Sequence, residues 1–268
     1  MLALAMRKYR RFAALAVQET LAYRVPYVVN MVSIVVTYVV IFFIWAAVFS
    51  GKANVGDYAW AEMKTYLVIS LFMSALVSGS SEYRISRQIR TGNIAIELLR
   101  PADYQISSLA ITLGNSLSEG VLVSAACLCF ALATGPGVFP PDALSWVLFV
   151  LSCLVAFATK FLLVYVFGLA CFWTNSLMGI SWLRKGVTDF FSGALIPLAF
   201  FPGWLKGLAD WLPFRNVVWV PAGAFTGRIA GAELARDLAV GVAWIVALWF
   251  IARFVWSRAM RKVTIQGG

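Results

Sequence analysis

Two charged side chains lie far inside apolar sequence. Glu119 falls in the run 104–134 and Lys160 in the run 143–173. If the two runs are antiparallel neighbours, both charges sit at similar depth. An isolated charge at the centre of a bilayer costs about 2.5–3.5 kcal/mol, and pairing or a water-lined cavity relieves most of that. Two readings follow. The pair marks a substrate pathway or gate, or it is an ion pair that fixes helix register. Neither supplies acid–base chemistry without further partners. Histidine is absent, which removes the commonest general base and metal ligand, and with it the Ser–His–Asp triad. Cys127, Cys129, Cys153 and Cys171 all sit in apolar runs, and none forms the CxxC pair of a zinc or redox site. There is no Walker A motif, no GxGxxG fingerprint and no metal-ligand cluster. No catalytic residue and no metal site is assigned.

The composition explains why chemistry is so sparse. The chain has 268 residues, of which 62% are hydrophobic and 13% charged. Soluble domains average roughly 45–50% and about 25%. A soluble fold of this size could not hide that much apolar surface, and a disordered chain would not carry it. The expected class is an all-α integral membrane protein forming one transmembrane domain over 1–268, with six transmembrane helices.

Residues 4–24 read as a basic amphipathic helix within an N-terminal segment 1–26, ended by Pro26 and suited to a membrane surface. The apolar Met1–Met6 precedes Arg7, Lys8, Arg10 and Arg11, the reverse of a secretory leader, so no cleaved signal is expected. The spans are expected at Tyr27–Phe49, Thr65–Tyr83, within Tyr104–Thr134, within Ala143–Trp173, at Val187–Phe201 and at Leu238–Trp256. Ser74 to Ser81 is rich in small residues that favour close helix packing. Residues 174–186 are expected as a short loop, and Gly135, Pro136, Gly137, Pro140 and Pro141 as a turn.

Six spans put both termini on one side. Sorted on that basis, the whole net charge of +10 falls on the terminal side and the opposite side balances to zero. The positive-inside rule makes the terminal side cytoplasmic. The basic residues are spread over four loops rather than along one face, which argues against nucleic acid as a partner.

Two polar segments remain. In 84–103, a short helix carries Ile94, Ile96, Leu98 and Leu99, ringed by Arg90, Glu97 and Arg100. Gly92 breaks the chain before it, Asn93 is placed to cap it and Pro101 stops it. It is either a docking helix for a cytoplasmic partner or an interfacial helix lying on lipid. Residues 202–237 mix aromatic, proline and charged residues and fit short helices dipping into the outer interface. Within 197–227, Pro197, Pro202, Trp204, Trp211, Pro213, Phe214 and Pro221 read as an outer gate or as an interface anchor.

The order of these elements resembles the type-2 permeases of ATP-binding-cassette (ABC) exporters, over essentially the whole chain. Three stretches carry the likeness to the six-span bacterial drug or viologen-exporter subgroup: RTGNIAIELLRPADYQ at 90–105, IPLAFFPGWLKGLADWLPF at 196–214, and the end from Trp256 to Ile265-Gln266-Gly267-Gly268. The resemblance implies a subunit of the bacterial inner membrane with both termini cytoplasmic and lipid around it. It implies pairing with a second permease, a non-identical relative being favoured over a second copy, and two ABC ATPase subunits holding ATP and Mg while this chain binds no cofactor. It makes the helix at 93–99 a coupling helix whose apolar face fills a groove in the ATPase, and the segment before the last span a re-entrant cap over the exit. An amphipathic or cationic small molecule would be exported. Glu119 and Lys160 match no motif of the family. The competing reading is a transporter or channel that works without an ATPase.

Overall fold

In the computed structural model, the described residues are 2–22, 24–77, 80–135, 137, 139–140, 142–174 and 177–262. Ser78, Gly79, Pro136, Pro141 and the terminal stretch Ile265–Gly268 lie outside them.

Among the described residues, four helices are long and apolar enough to cross a membrane: Val28–Val48 within α2 (Arg24–Phe49), α6 (Tyr104–Thr134), α7 (Ala143–Leu169, with a 3-10 turn to Phe172) and α11 (Gly231–Met260). Each contains a long apolar run without internal proline beyond its first turn. α6 and α7 open on carboxylate caps that the sequence reading passed over. Asp103 accepts from Ile106 N at 3.0 Å and Asp142 from Ser145 N at 3.0 Å, satisfying amides that have no partner in the helix.

The other elements depart from the expected spans. α1 (Leu2–Ala22) ends before Pro26, which lies in the first turn of α2 instead of breaking α1. A missing N–H costs nothing there. A hairpin, β1 (Asn54–Val55) and β2 (Tyr58–Ala59), follows α2. The expected span Thr65–Tyr83 is two helices, α3 (Trp60–Ala75) and α4 (Ser80–Arg90), and α4 continues to the short α5 (Ile94–Leu98). The expected span Val187–Phe201 is not one helix. α8 (Leu177–Phe191) begins inside the expected loop 174–186 and stops before Gly193, and a 3-10 turn at Leu198–Phe200 follows Pro197. Apolar character located both stretches, but it could not show that their helices are interrupted. Two short helices, α9 (Gly203–Trp211) and α10 (Trp219–Thr226), precede α11.

Contacts define two ends. At one, Tyr104 at the start of α6 stacks on Trp256 near the end of α11, with ring centres 4.5 Å apart and planes 9° apart. At the other, Phe130 of α6 meets Phe42 of α2 edge-on at 5.1 Å, and Lys64 donates to Thr134 O at 2.9 Å. The apolar core is correspondingly divided. Ile85, Ile94, Tyr104, Phe161 and Leu169 cluster at the first end. Tyr58, Tyr66, Val220, Phe225 and Ile229 cluster towards the second. α1 lies against the first part of α6, so closely at Gly114 that a Cβ there would stand 2.3 Å from Ala13 O. The ion pairs Arg184–Glu82, Arg253–Asp103, Arg215–Asp237 and Arg228–Glu62 each join two groups that the charge tally placed on the same side.

Candidate functional site

The two interrupted segments meet inside the bundle, where side chains of α2, α3 and α7 bond main chain at the breaks. Where α3 ends, its last carbonyls lose their regular helical partners, and Met73 O keeps only a 3.4 Å bond from Leu76 N within the cap. Lys160 of α7 reaches them, donating to Met73 O at 3.1 Å and to Ser74 O. Its ammonium thus sits where the α3 dipole concentrates negative charge. Tyr38 of α2 donates to Ser70 O at 3.0 Å and shares a hydrogen bond with Ser74 Oγ at 2.6 Å. Past the end of α8, the main chain is held from α3: Tyr66 donates its phenol to Gly193 O at 2.7 Å and Ser70 its hydroxyl to Ala194 O at 3.1 Å. Gly193 has φ +83°, and a Cβ there would stand 2.6 Å from Tyr66 Oη, so only glycine fits. Irregular main chain at membrane depth survives only where protein groups satisfy it, and here side chains from three helices do so.

Lys160 therefore has a partner set that its position in an apolar run did not disclose. Glu119 is buried on α6. It closes a stripe of buried polar side chains spaced three or four residues apart, Gln105, Ser108, Thr112, Ser116 and Glu119. Ser81 of α4 meets Thr112 hydroxyl to hydroxyl at 2.7 Å. This spacing is legible in the sequence as a polar helical face, although only Glu119 stood out there.

At the basic end, the expected docking segment splits. Ile94 is only 3% exposed and joins the core, whereas Ile96 and Leu98 are exposed and Leu99 is 85% exposed. The outward apolar face is thus Ile96, Leu98 and Leu99. Gly92 has φ +74°, the left-handed turn that separates α4 from α5. Asn93 occupies the N-cap position in helical conformation and its side chain makes no capping bond. Glu97 pairs with Arg100 at 3.0 Å and accepts from Gln88 at 3.4 Å, and Tyr104 donates to Gln88 at 2.7 Å. Arg90 and Pro101 are exposed. Lys8 of α1 donates to Pro101 O, and Arg253 of α11 pairs with Asp103. α5 is thereby tied to α4, and the chain just after it to α1, α6 and α11.

The pair Glu82–Arg184 is an enclosed ionic contact. Arg184 donates from Nε at 3.1 Å and from Nη2 at 2.7 Å to one oxygen of Glu82, joining α4 to α8. Glu82 is 1% and Arg184 8% exposed. Sequence reading put Glu82 at the end of the expected second span and Arg184 in the expected loop 174–186, and nothing local links residues so far apart.

At the opposite end, the residues read as a gate divide into two sets. Pro197, Pro213 and Pro221 are buried, Pro202 opens α9, and Phe214 stacks on Phe191 at 6.2 Å. Trp204 and Trp211 point outward along one face of α9 with Leu208 between them. Sequence reading missed the charges that fasten this end. Arg215 is held by Asp210 and by Asp237 at 2.7 Å. Arg228 pairs with Glu62 at 2.8 Å and lies 3.9 Å over the Tyr58 ring. Burial pushes the Tyr58 phenol up to about 12 against the weaker pull of Arg228. The Ser145 hydroxyl holds the Asp142 carboxyl below its usual range. Among the described residues, no cluster of Cys, Asp and Glu gathers three possible metal ligands.

A multi-pass α-helical membrane protein with an exposed apolar helix at its basic end is the class these features define. Residues 35–267 match the family described as ABC-2 family transporter protein, and the chain belongs to that family. It is accordingly a membrane transport component, a permease of an ABC transporter, and such permeases work with ABC ATPases. No curated protein matches the chain.

Proposed function

We propose that the chain is the membrane-spanning subunit of an ATP-driven exporter of the bacterial inner membrane, six-span and of the drug or viologen-exporter kind. The four long helices, the α3–α4 pair and α8 with its following turn make the six crossings, with both termini cytoplasmic. Two ATPase subunits, carrying ATP and Mg, dock on α5. A second permease, a relative rather than a copy, completes the pathway. The observation that carries this reading is the outward face of Ile96, Leu98 and Leu99, tied to α4 through Glu97 and Gln88 at the basic end of a membrane protein. Burying three such side chains in a protein groove gains about 1.5–3 kcal/mol each, and Arg90, Glu97 and Arg100 make rim contacts.

ATP-driven closure of the ATPases then rocks the two permeases and moves an amphipathic or cationic molecule outward, a rigid-body switch between two states. Glu119, Lys160 and the polar face of α6 line or support that pathway. The segment with Pro197, Pro202, Trp204, Trp211, Pro213, Phe214 and Pro221 caps its exit.

The test is Leu98→Asp with Leu99→Asp. The double variant is expected to elute as a folded permease without ATPase, whereas the native chain carries it. Normal co-purification of ATPase with the variant, or a native chain that elutes without ATPase even after cross-linking, overturns the coupling role of α5.

A further inference from the structure

We infer that the groove between the ends of α7 and α11 is a binding site for one anionic phospholipid. The inference rests on the chain lying in a membrane and is independent of the exporter reading. The groove encloses about 350 Å³. Val166, Phe167, Ala170 and Trp173 form one wall, and Phe254 and Val255 the other, with Arg258 as the one charged lining residue. Each aromatic wall carries a cation. The Arg258 guanidinium lies 5.1 Å from the centre of the Phe254 ring, and the Lys262 ammonium 5.7 Å from that of Trp173.

An apolar slot between two spans, with cations at its mouth, matches an acyl chain below a phosphate. Charge selects the occupant. From Leu238 onward the sequence has no Asp or Glu. Among the described residues, no carboxylate pairs with Arg258, Arg261 or Lys262. A zwitterionic lipid also brings a phosphate, but its own ammonium lies beside that phosphate and offsets the attraction of these cations, whereas an anionic headgroup meets them with net negative charge. Cations in the last turn of α11 also favour its dipole, but that needs neither the slot nor the reach of Lys262 to Trp173 on the other wall.

The full chain, purified in mild detergent, is exposed to equal amounts of phosphatidylglycerol and phosphatidylcholine, and retained lipid is read by native mass spectrometry. The native chain is expected to keep one phosphatidylglycerol with a preference on the order of tenfold. Arg258→Gln with Lys262→Gln is expected to bring the preference near parity, and the charge-keeping Arg258→Lys with Lys262→Arg to preserve it. Ala170→Phe, which fills the slot and keeps both cations, is expected to lower retention of both lipids. Thermal unfolding in nanodiscs of each lipid gives a second readout, with phosphatidylglycerol raising Tm for the native chain and not for the glutamine variant. Equal retention of the two lipids by the native chain, or an undiminished preference in a folded glutamine variant, overturns the site. So does stabilisation by inorganic phosphate alone that matches phosphatidylglycerol, which makes the ligand a free anion.

Discussion

Removing either partner of the Glu82–Arg184 contact should cost far more than removing both. Arg184 places two N–H groups on one carboxylate oxygen, at 2.7 and 3.1 Å, and both residues are almost wholly enclosed. Glu82→Leu strands a guanidinium, and Arg184→Met strands a carboxylate. A buried charge left without its partner costs about 3–5 kcal/mol, whereas exchanging a buried pair for apolar groups of similar volume is close to neutral or stabilising. The double variant should therefore recover at least about 2 kcal/mol relative to the sum of the singles. Equilibrium unfolding of the four proteins in mixed micelles, titrated with sodium dodecyl sulfate and followed by circular dichroism, measures the cycle. Singles that each cost under about 1 kcal/mol, or losses that add to within about 0.5 kcal/mol, would show that water or another group already meets these charges. The enclosed α4–α8 clamp would then be refuted.

Two further substitutions address the meeting of the interrupted helices. Lys160→Met removes the ammonium donor from Ser74 O and from Met73 O, which keeps a 3.4 Å bond from Leu76 N; each bond from a charged donor is worth about 1.5–3 kcal/mol, partly offset because an ammonium is no longer buried. A net loss on the order of 2 kcal/mol is expected in the same micelle assay, and an unshifted transition would end the capping role. Recovery of stability on adding Glu119→Gln would assign the two charges to one structural pair, whereas stable variants that lose transport would assign them to the pathway. Gly193→Ala forces a Cβ to within 2.6 Å of Tyr66 Oη at φ +83°. It should cost at least about 1–2 kcal/mol in backbone strain alone, and Tyr66→Phe in the same chain should relieve the contact. A Gly193→Ala protein as stable as the native one contradicts the geometry.

How much of this was legible depends on what sequence encodes locally. The long helices α2, α6, α7 and α11 announce themselves, because a bilayer demands an uninterrupted apolar run and each supplies one. The α3–α4 and α8 interruptions do not, because an average over a span-length window registers apolarity and is blind to where a helix stops. Ser74–Ser81 and Gly193 carried the only hints, small residues and a glycine beside Pro197. The segment 93–99 was legible as a short helix after Gly92, but which of its apolar residues faces inward was not. Ile94 is drawn into the core by Ile85 and Tyr104, neighbours fixed by tertiary structure. Lysine partners were the least legible. Lys8, Lys64 and Lys160 all donate to main-chain carbonyls, of Pro101, Thr134, and Met73 with Ser74. Carbonyl availability follows from where helices end, which composition does not record.

The same bonds limit where a load applied to α5 can go. Ile94 is set in the core beside Tyr104, Gln88 bridges α4 to both Glu97 and Tyr104, and Asp103 is held by Arg253. A displacement of α5 therefore acts on the end of α4, the start of α6 and the end of α11 together, not on a loose loop. Further along, α4 is clamped to α8 through Glu82 and Arg184, and α3 is fastened separately to residues 193 and 194. The two halves of the expected second span thus belong to different bonded sets. Lys160 holds the end of α3 from α7, and α7 packs against α4. Relative movement of α4 and α3 then reorients one ammonium against two carbonyls, and no continuous helix has to bend. A continuous helix would resist such movement along its whole length, whereas an interrupted one confines it to the turn that Lys160 guards.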